Sequence, residues 1–160
     1  MEYILAPKSG RCFLCDAFRR RDDRAHLVLR RGRTCAVLLN RYPYNNGHLM
    51  IAPLRHAAGL TDLTAAERHE MMDLADEAIR ALRAVIRPEG FNVGVNLGKA
   101  AGAGLDRHVH LHVVPRWSGD TNFMPVTAGV KVIPQALDDL WARLRKAFGR
   151  RRAGPKRPIG

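Results

Sequence analysis

The stretch that most constrains this chain is His108-Val109-His110-Leu111-His112-Val113-Val114-Pro115-Arg116, in which three histidines alternate with aliphatic residues. Side chains along a β-strand point to opposite faces with a period of two, so all three imidazoles share one face. Val109, Leu111 and Val113 then turn into a core. Pro115, which has no N–H for a ladder, is expected to stop the strand.

A single histidine on a strand is an ordinary structural residue. Three on one face carry a desolvation cost unless each ring finds a donor or an acceptor. Two chemistries make use of such a row: a metal site, or a site where imidazoles meet phosphate. Joint ligation of one ion by His108, His110 and His112 would need a well-placed carboxylate nearby, and Asp106 is the one candidate. That scarcity favours phosphate.

The 160 residues suit one domain with its own core, and the formal charge of +12 fits a polyanionic ligand without choosing among nucleotide, nucleic acid and acidic lipid. Much of the excess lies outside the motif regions, in Arg19, Arg20, Arg21 and Arg24 and in Arg150, Arg151, Arg152, Lys156 and Arg157. We therefore expect a single domain over residues 1–148 and a basic, disordered tail over 149–160. No 18-residue apolar run and no signal-peptide pattern occur, which predicts a cytoplasmic protein away from membranes. Three cysteines, two of them in Cys12-Phe13-Leu14-Cys15, suit metal ligation in a reducing compartment better than a disulfide framework. A redox pair is the competing reading of the C-x-x-C, but no βαβ pattern follows it. Cys35 reads as a small core residue.

Along the chain, residues 26–30 and 34–39 read as two strands around a short turn. A turn-rich loop over 40–47 leads into a third strand at 48–52. Thr64 and Glu67 offer a capping box for a long helix, whose apolar stripe is Met72, Ala75, Ile79, Leu82 and Ile86. His69 falls on its exposed side. Residues 91–96 read as a strand running into the glycine-rich segment 98–104, where backbone N–H groups can approach an anion. A strand over 130–133 and an amphipathic helix carrying Leu137, Leu140, Trp141, Leu144 and Phe148 close the domain. Short-turn strands interrupted by one long helix indicate an α+β fold with an antiparallel sheet of about five strands and a C-terminal helix.

The pattern His-φ-His-φ-His-φ-φ, with φ apolar, resembles the signature of the histidine triad (HIT) family of nucleotide-binding hydrolases and transferases. The segments 39–48 (LNRYPYNNGH), 92–98 (NVGVNLG) and 115–123 (PRWSGDTNF) are similar to those of the branch containing bacterial diadenosine tetraphosphate (Ap4A) phosphorylases. This resemblance covers roughly residues 12 to 145. It implies a HIT-like fold, a homodimer and adenosine-containing polyphosphates as substrates. Phosphorolysis of Ap4A to ADP and ATP is the leading expectation, ahead of hydrolysis of dinucleoside polyphosphates or AMP conjugates. The reading of another class is a nucleotide- or RNA-binding zinc module with little catalysis, anchored by the basic tail.

By the same resemblance His110 is the nucleophile that carries AMP, and His112 donates to a phosphate oxygen or the leaving group. His108 orients its neighbour or serves a metal, and a carbonyl in the 102–107 loop holds the His110 tautomer. Asn40 is placed near the ribose and His48 near the base. Asn96, Gly102, Ala103 and Gly104 fall beside the phosphates, and Trp117 is a candidate for stacking on a base. Where many HIT proteins have glutamine, and some phosphorylases serine, this chain has Gly104, so one side-chain phosphate contact is absent. Cys12, Cys15, His56 and His108 match the ligands of a structural zinc, and no organic cofactor is expected.

Overall fold

A computed structural model describes residues 12–102, 107–120 and 136–149. A short helix α1 (Phe13–Arg19) precedes a meander of β1 (Val28–Arg31), β2 (Cys35–Leu39) and β3 (Leu49–Pro53). Helix α2 (Ala65–Ile86) then crosses to β4 (Gly90–Val95) and β5 (Leu111–Arg116), and α3 (Leu137–Gly149) follows. The five strands form one sheet, ordered β1-β2-β3-β5-β4, and every pairing is antiparallel. The α+β architecture read from the sequence is the one observed. The expected strand at 130–133 and residues 150–160 of the basic tail lie outside the described residues, while Gly149 is the last residue of α3.

Alternation along the strands divides the sheet into two faces. Cys35, Val37 and Leu39 of β2 with Leu49 and Ile51 of β3 turn toward α2 and α3, where Leu74, Ala78, Leu82, Leu140 and Leu144 complete the main core. Leu38, Met50 and Ala52 turn the other way and meet Leu14 and Ala17 of α1. With both faces covered, every residue of β2 and β3 is buried. Among the described residues no helix is long and apolar enough to cross a membrane.

Helix α2 starts where the sequence places it. Thr64 Oγ1 accepts from the Glu67 N–H at 3.2 Å, and the Glu67 carboxylate accepts from the Thr64 N–H at 2.8 Å. Its buried face differs in part from the stripe read by counting. Met71, Leu74, Ala75, Ala78, Ala81 and Leu82 are buried, whereas Met72 is 59% exposed. A row of alanines lets the helix sit close to the sheet, and the face centred on Ala75, Ala78 and Leu82 carries Met71 inward.

Pro115 does not stop its strand; β5 runs on to Arg116. The Pro115 carbonyl accepts from Asn45 Nδ2 at 3.1 Å, so it is turned away from β4. A residue's N–H and C=O share one side of a strand, so the missing donor falls where the ladder with β3 has already ended.

Candidate active site and metal-ligand cluster

His112 sits mid-sheet, paired with Met50 on β3 and Gly94 on β4, and faces the α1 side. Residues 108–110 precede β5, outside the ladder, and the Val109 N–H is held by the Ala57 carbonyl at 2.7 Å. Val109, Leu111 and Val113 enter the main core, so His108, His110 and His112 share the opposite face as the alternation requires. All three are buried, and the rings of His110 and His112 lie 4.7 Å apart, edge to face.

Hydrogen bonds define where each proton sits. His110 Nδ1 lies 2.8 Å from the His108 carbonyl, which can only accept, so Nδ1 carries the proton and Nε2 keeps its lone pair. The carbonyl expected in the 102–107 loop is thus supplied two residues upstream by the motif itself. Burial lowers the pKa of His110 below the ordinary histidine value, although the bond to the carbonyl opposes it. The result is a neutral ring with a free Nε2.

His112 is set the other way. His48 Nδ1 accepts from the Tyr44 N–H at 3.0 Å and lies 3.2 Å from Asn40 Nδ2, so its proton must be on Nε2. That Nε2–H donates to His112 Nδ1 at 2.8 Å, which leaves the His112 proton on its own Nε2. Burial, then the nearby His110, lowers the His112 pKa to about 4, so this ring too is neutral near pH 7. His48 is fully buried and is the partner that orients His112. Gly47 makes this possible. At φ +77°, with Ile86 Cδ1 only 2.6 Å from where a Cβ would stand, the chain turns tightly over the end of α2 and delivers His48 inward.

At the other end of the motif, ligand atoms of Cys12, Cys15, His56 and His108 all lie within 4.8 Å of one another. His108 Nε2–H donates to the Pro53 carbonyl at 3.0 Å, leaving Nδ1 as the lone-pair atom, 3.2 Å from Cys12 Sγ and 3.5 Å from Cys15 Sγ. His56 Nδ1 lies 3.3 Å from Cys15 Sγ. Two thiols and two imidazoles within reach of one ion make a donor set that suits zinc, with a carbonyl fixing the buried histidine from behind. Burial and the adjacent Cys12 push the Cys15 thiol up to about 11, a strain that a divalent cation would relieve. The loop carrying His56 is clamped by Arg55, whose Nε and Nη2 reach the Glu67 carboxylate at 2.7 and 2.8 Å.

A cleft of about 440 Å³ opens on the same side of the sheet as the triad. Phe13 and Ala17 of α1, Leu38, Met50 and Asn40 are among its lining residues. A larger groove of about 720 Å³, basic through Arg80, Arg83, Arg143 and Lys146, runs between α2 and α3 on the side away from the histidines.

Residues 21–119 match the family model of the HIT domain. The chain belongs to the HIT family. An "AP-4-A phosphorylase" of Mycobacterium tuberculosis is 50% identical over 128 residues, which are 76% of this chain and 66% of that protein. The chain thus matches just under two thirds of that relative's length. A bis(5'-nucleosyl)-tetraphosphatase (asymmetrical) of Schizosaccharomyces pombe is 29% identical over 93 residues, covering 58% of this chain and 50% of the relative. Among solved structures, a Zn-bound histidine triad family protein from Mycobacterium smegmatis superposes with a TM-score of 0.68 at 24% identity, over 88% of this chain and 94% of the other.

For this HIT protein the structure brings together the three triad histidines, His48 and Asn40, and separately the four cysteine and histidine donors. Asn40 is half-buried at the cleft. Its Oδ1 closes a turn on the Tyr42 N–H at 3.0 Å, so it also holds the loop. Asn96 follows β4, and Gly102 adopts φ +81° after a single helical turn over Lys99–Ala101. Ala103 and Gly104 lie outside the described residues. Trp117 is anchored elsewhere, with Nε1 donating to the Arg87 carbonyl at the end of α2 at 3.3 Å. The relay through Tyr44 and His48 escaped sequence reading because its key donor is a main-chain N–H.

Proposed function

We propose that this chain cleaves adenosine-containing polyphosphates at the α-phosphate, with Ap4A and inorganic phosphate as substrates and ADP and ATP as products. The observation that carries this reading is the opposed tautomers of neighbouring rings: His110 with a free Nε2, His112 with an Nε2–H. One is a nucleophile, the other a donor.

In the first step the His110 Nε2 lone pair forms a bond to the α-phosphorus of Ap4A as the bond to the bridging oxygen breaks and ATP leaves. The positive charge that develops on the ring is stabilised through Nδ1–H by the His108 carbonyl. His112 Nε2–H donates to a phosphate oxygen, where negative charge builds in a largely dry site. In the second step an oxygen of inorganic phosphate attacks the same phosphorus, the N–P bond breaks, and ADP is released with His110 restored. The cleft between α1 and the sheet takes the nucleoside, with Asn40 at the ribose. The Asn96 and Gly102 turn faces the phosphates. Base stacking on Trp117 is no part of this proposal.

Cys12, Cys15, His56 and His108 would hold zinc, which supplies a structural tie between α1, the loop after β3 and the triad segment. The donor set and the Zn-bound M. smegmatis relative support this. Strand β4 ends the sheet, and exposed Val93 within it and Leu97 just beyond support a homodimer joined along that edge.

The test is product analysis by ion-exchange chromatography after incubation with Ap4A, with and without phosphate. ADP plus ATP formed only with phosphate is expected. AMP plus ATP without phosphate would make the protein a hydrolase, and no turnover in either would reject Ap4A as substrate.

A further inference from the structure

We propose that Asp120 is a positioning residue of the histidine site: through Asn45 it holds the 40–47 loop where the Tyr44 N–H fixes the proton on His112. The inference rests on the reading of His112 as a donor and names what keeps it one.

Asp120 stands on the loop after β5 with its side chain only 9% exposed. Its carboxylate accepts from Arg116 Nε and Nη2 at 2.6 and 2.7 Å, from the Trp117 N–H at 3.1 Å and from Asn45 Nδ2 at 2.8 Å. Arg116 is itself held on β4, with Nη1 donating to Asn92 Oδ1 at 2.8 Å. A bidentate arginine makes the carboxylate a rigid, charged acceptor. The loop after β5 is thereby fixed before it reaches across to the other loop.

Asn45 is gripped at both ends. Its amide nitrogen donates to Asp120 and to the Pro115 carbonyl, which uses both hydrogens. Its Oδ1 accepts from the Asn46 N–H at 3.0 Å, and its main-chain carbonyl accepts from the His48 N–H at 3.1 Å. Tyr44 is the next residue upstream. Its N–H reaches His48 Nδ1, and its ring stacks on His48 at 4.7 Å and lies 5.6 Å from His112. A continuous path of hydrogen bonds and one peptide link therefore runs from Asp120 to the His112 ring. If residues 44–46 move by about an ångström, the Tyr44 donor is lost and the His48 tautomer rests on the longer Asn40 Nδ2 contact at 3.2 Å, so the Nε2–H forms of His48 and His112 are no longer enforced. A neutral imidazole interconverts freely unless a neighbour decides.

The experiment records long-range 1H–15N spectra of histidine-labelled protein at pH 8, together with kcat and KM, for wild type, Asp120→Asn and Asn45→Ala. Wild-type His48 and His112 should be pure Nε2–H tautomers. In both variants their two ring nitrogen shifts should converge, with kcat falling on the order of ten- to a hundredfold while KM moves far less. If Asp120→Asn does not fold, Asn45→Ala carries the test, because it leaves the Arg116–Asp120 pair intact. Unchanged tautomers overturn the proposal whether or not kcat falls, as do altered tautomers with unchanged kcat. The spectra need no substrate. Wild-type protein inert toward Ap4A would therefore reject the proposed reaction while the tautomer result still stood.

Discussion

On the face of the sheet toward α2 and α3, Val109, Leu111 and Val113 pack with Leu49, Ile51, Leu82 and Leu140. One residue over along the same chain, His110 and His112 meet neighbours through hydrogen bonds to a main-chain carbonyl and to His48. The apolar face depends on volume and shape and tolerates exchange of like for like. The imidazole face depends on which atom carries a hydrogen, and no exchange is like for like there. Alternation by a single residue separates stability from chemistry.

Substitutions on the two faces should therefore fail differently. The largest effect is expected from His110→Ala, which removes the proposed nucleophile: Ap4A turnover should fall by at least about 10³-fold. Its thermal midpoint should move less than that of Ile51→Ala. Turnover close to wild type would dismiss the covalent route. Ile51→Ala on the packed face should cost about 2–5 kcal/mol of unfolding free energy in urea titrations. Its folded fraction should keep near-normal kcat, and a catalytic defect out of proportion to stability would blur the contrast.

Cys15→Ser is expected to lower the zinc found by atomic absorption from about one per chain to near none. The same variant should lower the melting temperature while leaving more activity than His110→Ala, since the His108 carbonyl remains. Acid sharpens the comparison further. The bond from Arg55, with those from Thr64, holds the Glu67 carboxyl at about 2, against the opposing effect of burial. A carboxyl lowered from 4.5 in the folded state contributes stability that is present above pH 4.5 and lost as pH falls toward 2. Glu67→Gln should flatten that acid limb of the urea midpoint and weaken the clamp on His56. The smallest effect is expected from Trp117→Phe, which removes one hydrogen bond worth about 1 kcal/mol and should leave KM for Ap4A unchanged.

The apolar face was legible because period two in 108–114 and the Thr64–Glu67 box are local patterns with local causes. The helix stripe was misplaced at Met72, since choosing between two adjacent positions depends on how closely alanines let α2 approach. The C-x-x-C spacing of Cys12 and Cys15 pointed to a metal, but only family likeness added His56 and His108, whose distance along the chain says nothing of convergence. The hold of the Tyr44 N–H on His48 was not legible, because a sequence displays side chains and hides main-chain donors. The strand through Pro115 was missed for the same reason, its tolerance depending on which side of β5 had already lost its partner.

His108 contributes two different atoms to two different tasks: its ring nitrogen to the thiol cluster and its carbonyl oxygen to His110. The second is possessed by every amino acid, so side-chain scanning at position 108 reports only the first. A descendant chain that lost both cysteines would still set the proton on His110 from the same backbone oxygen.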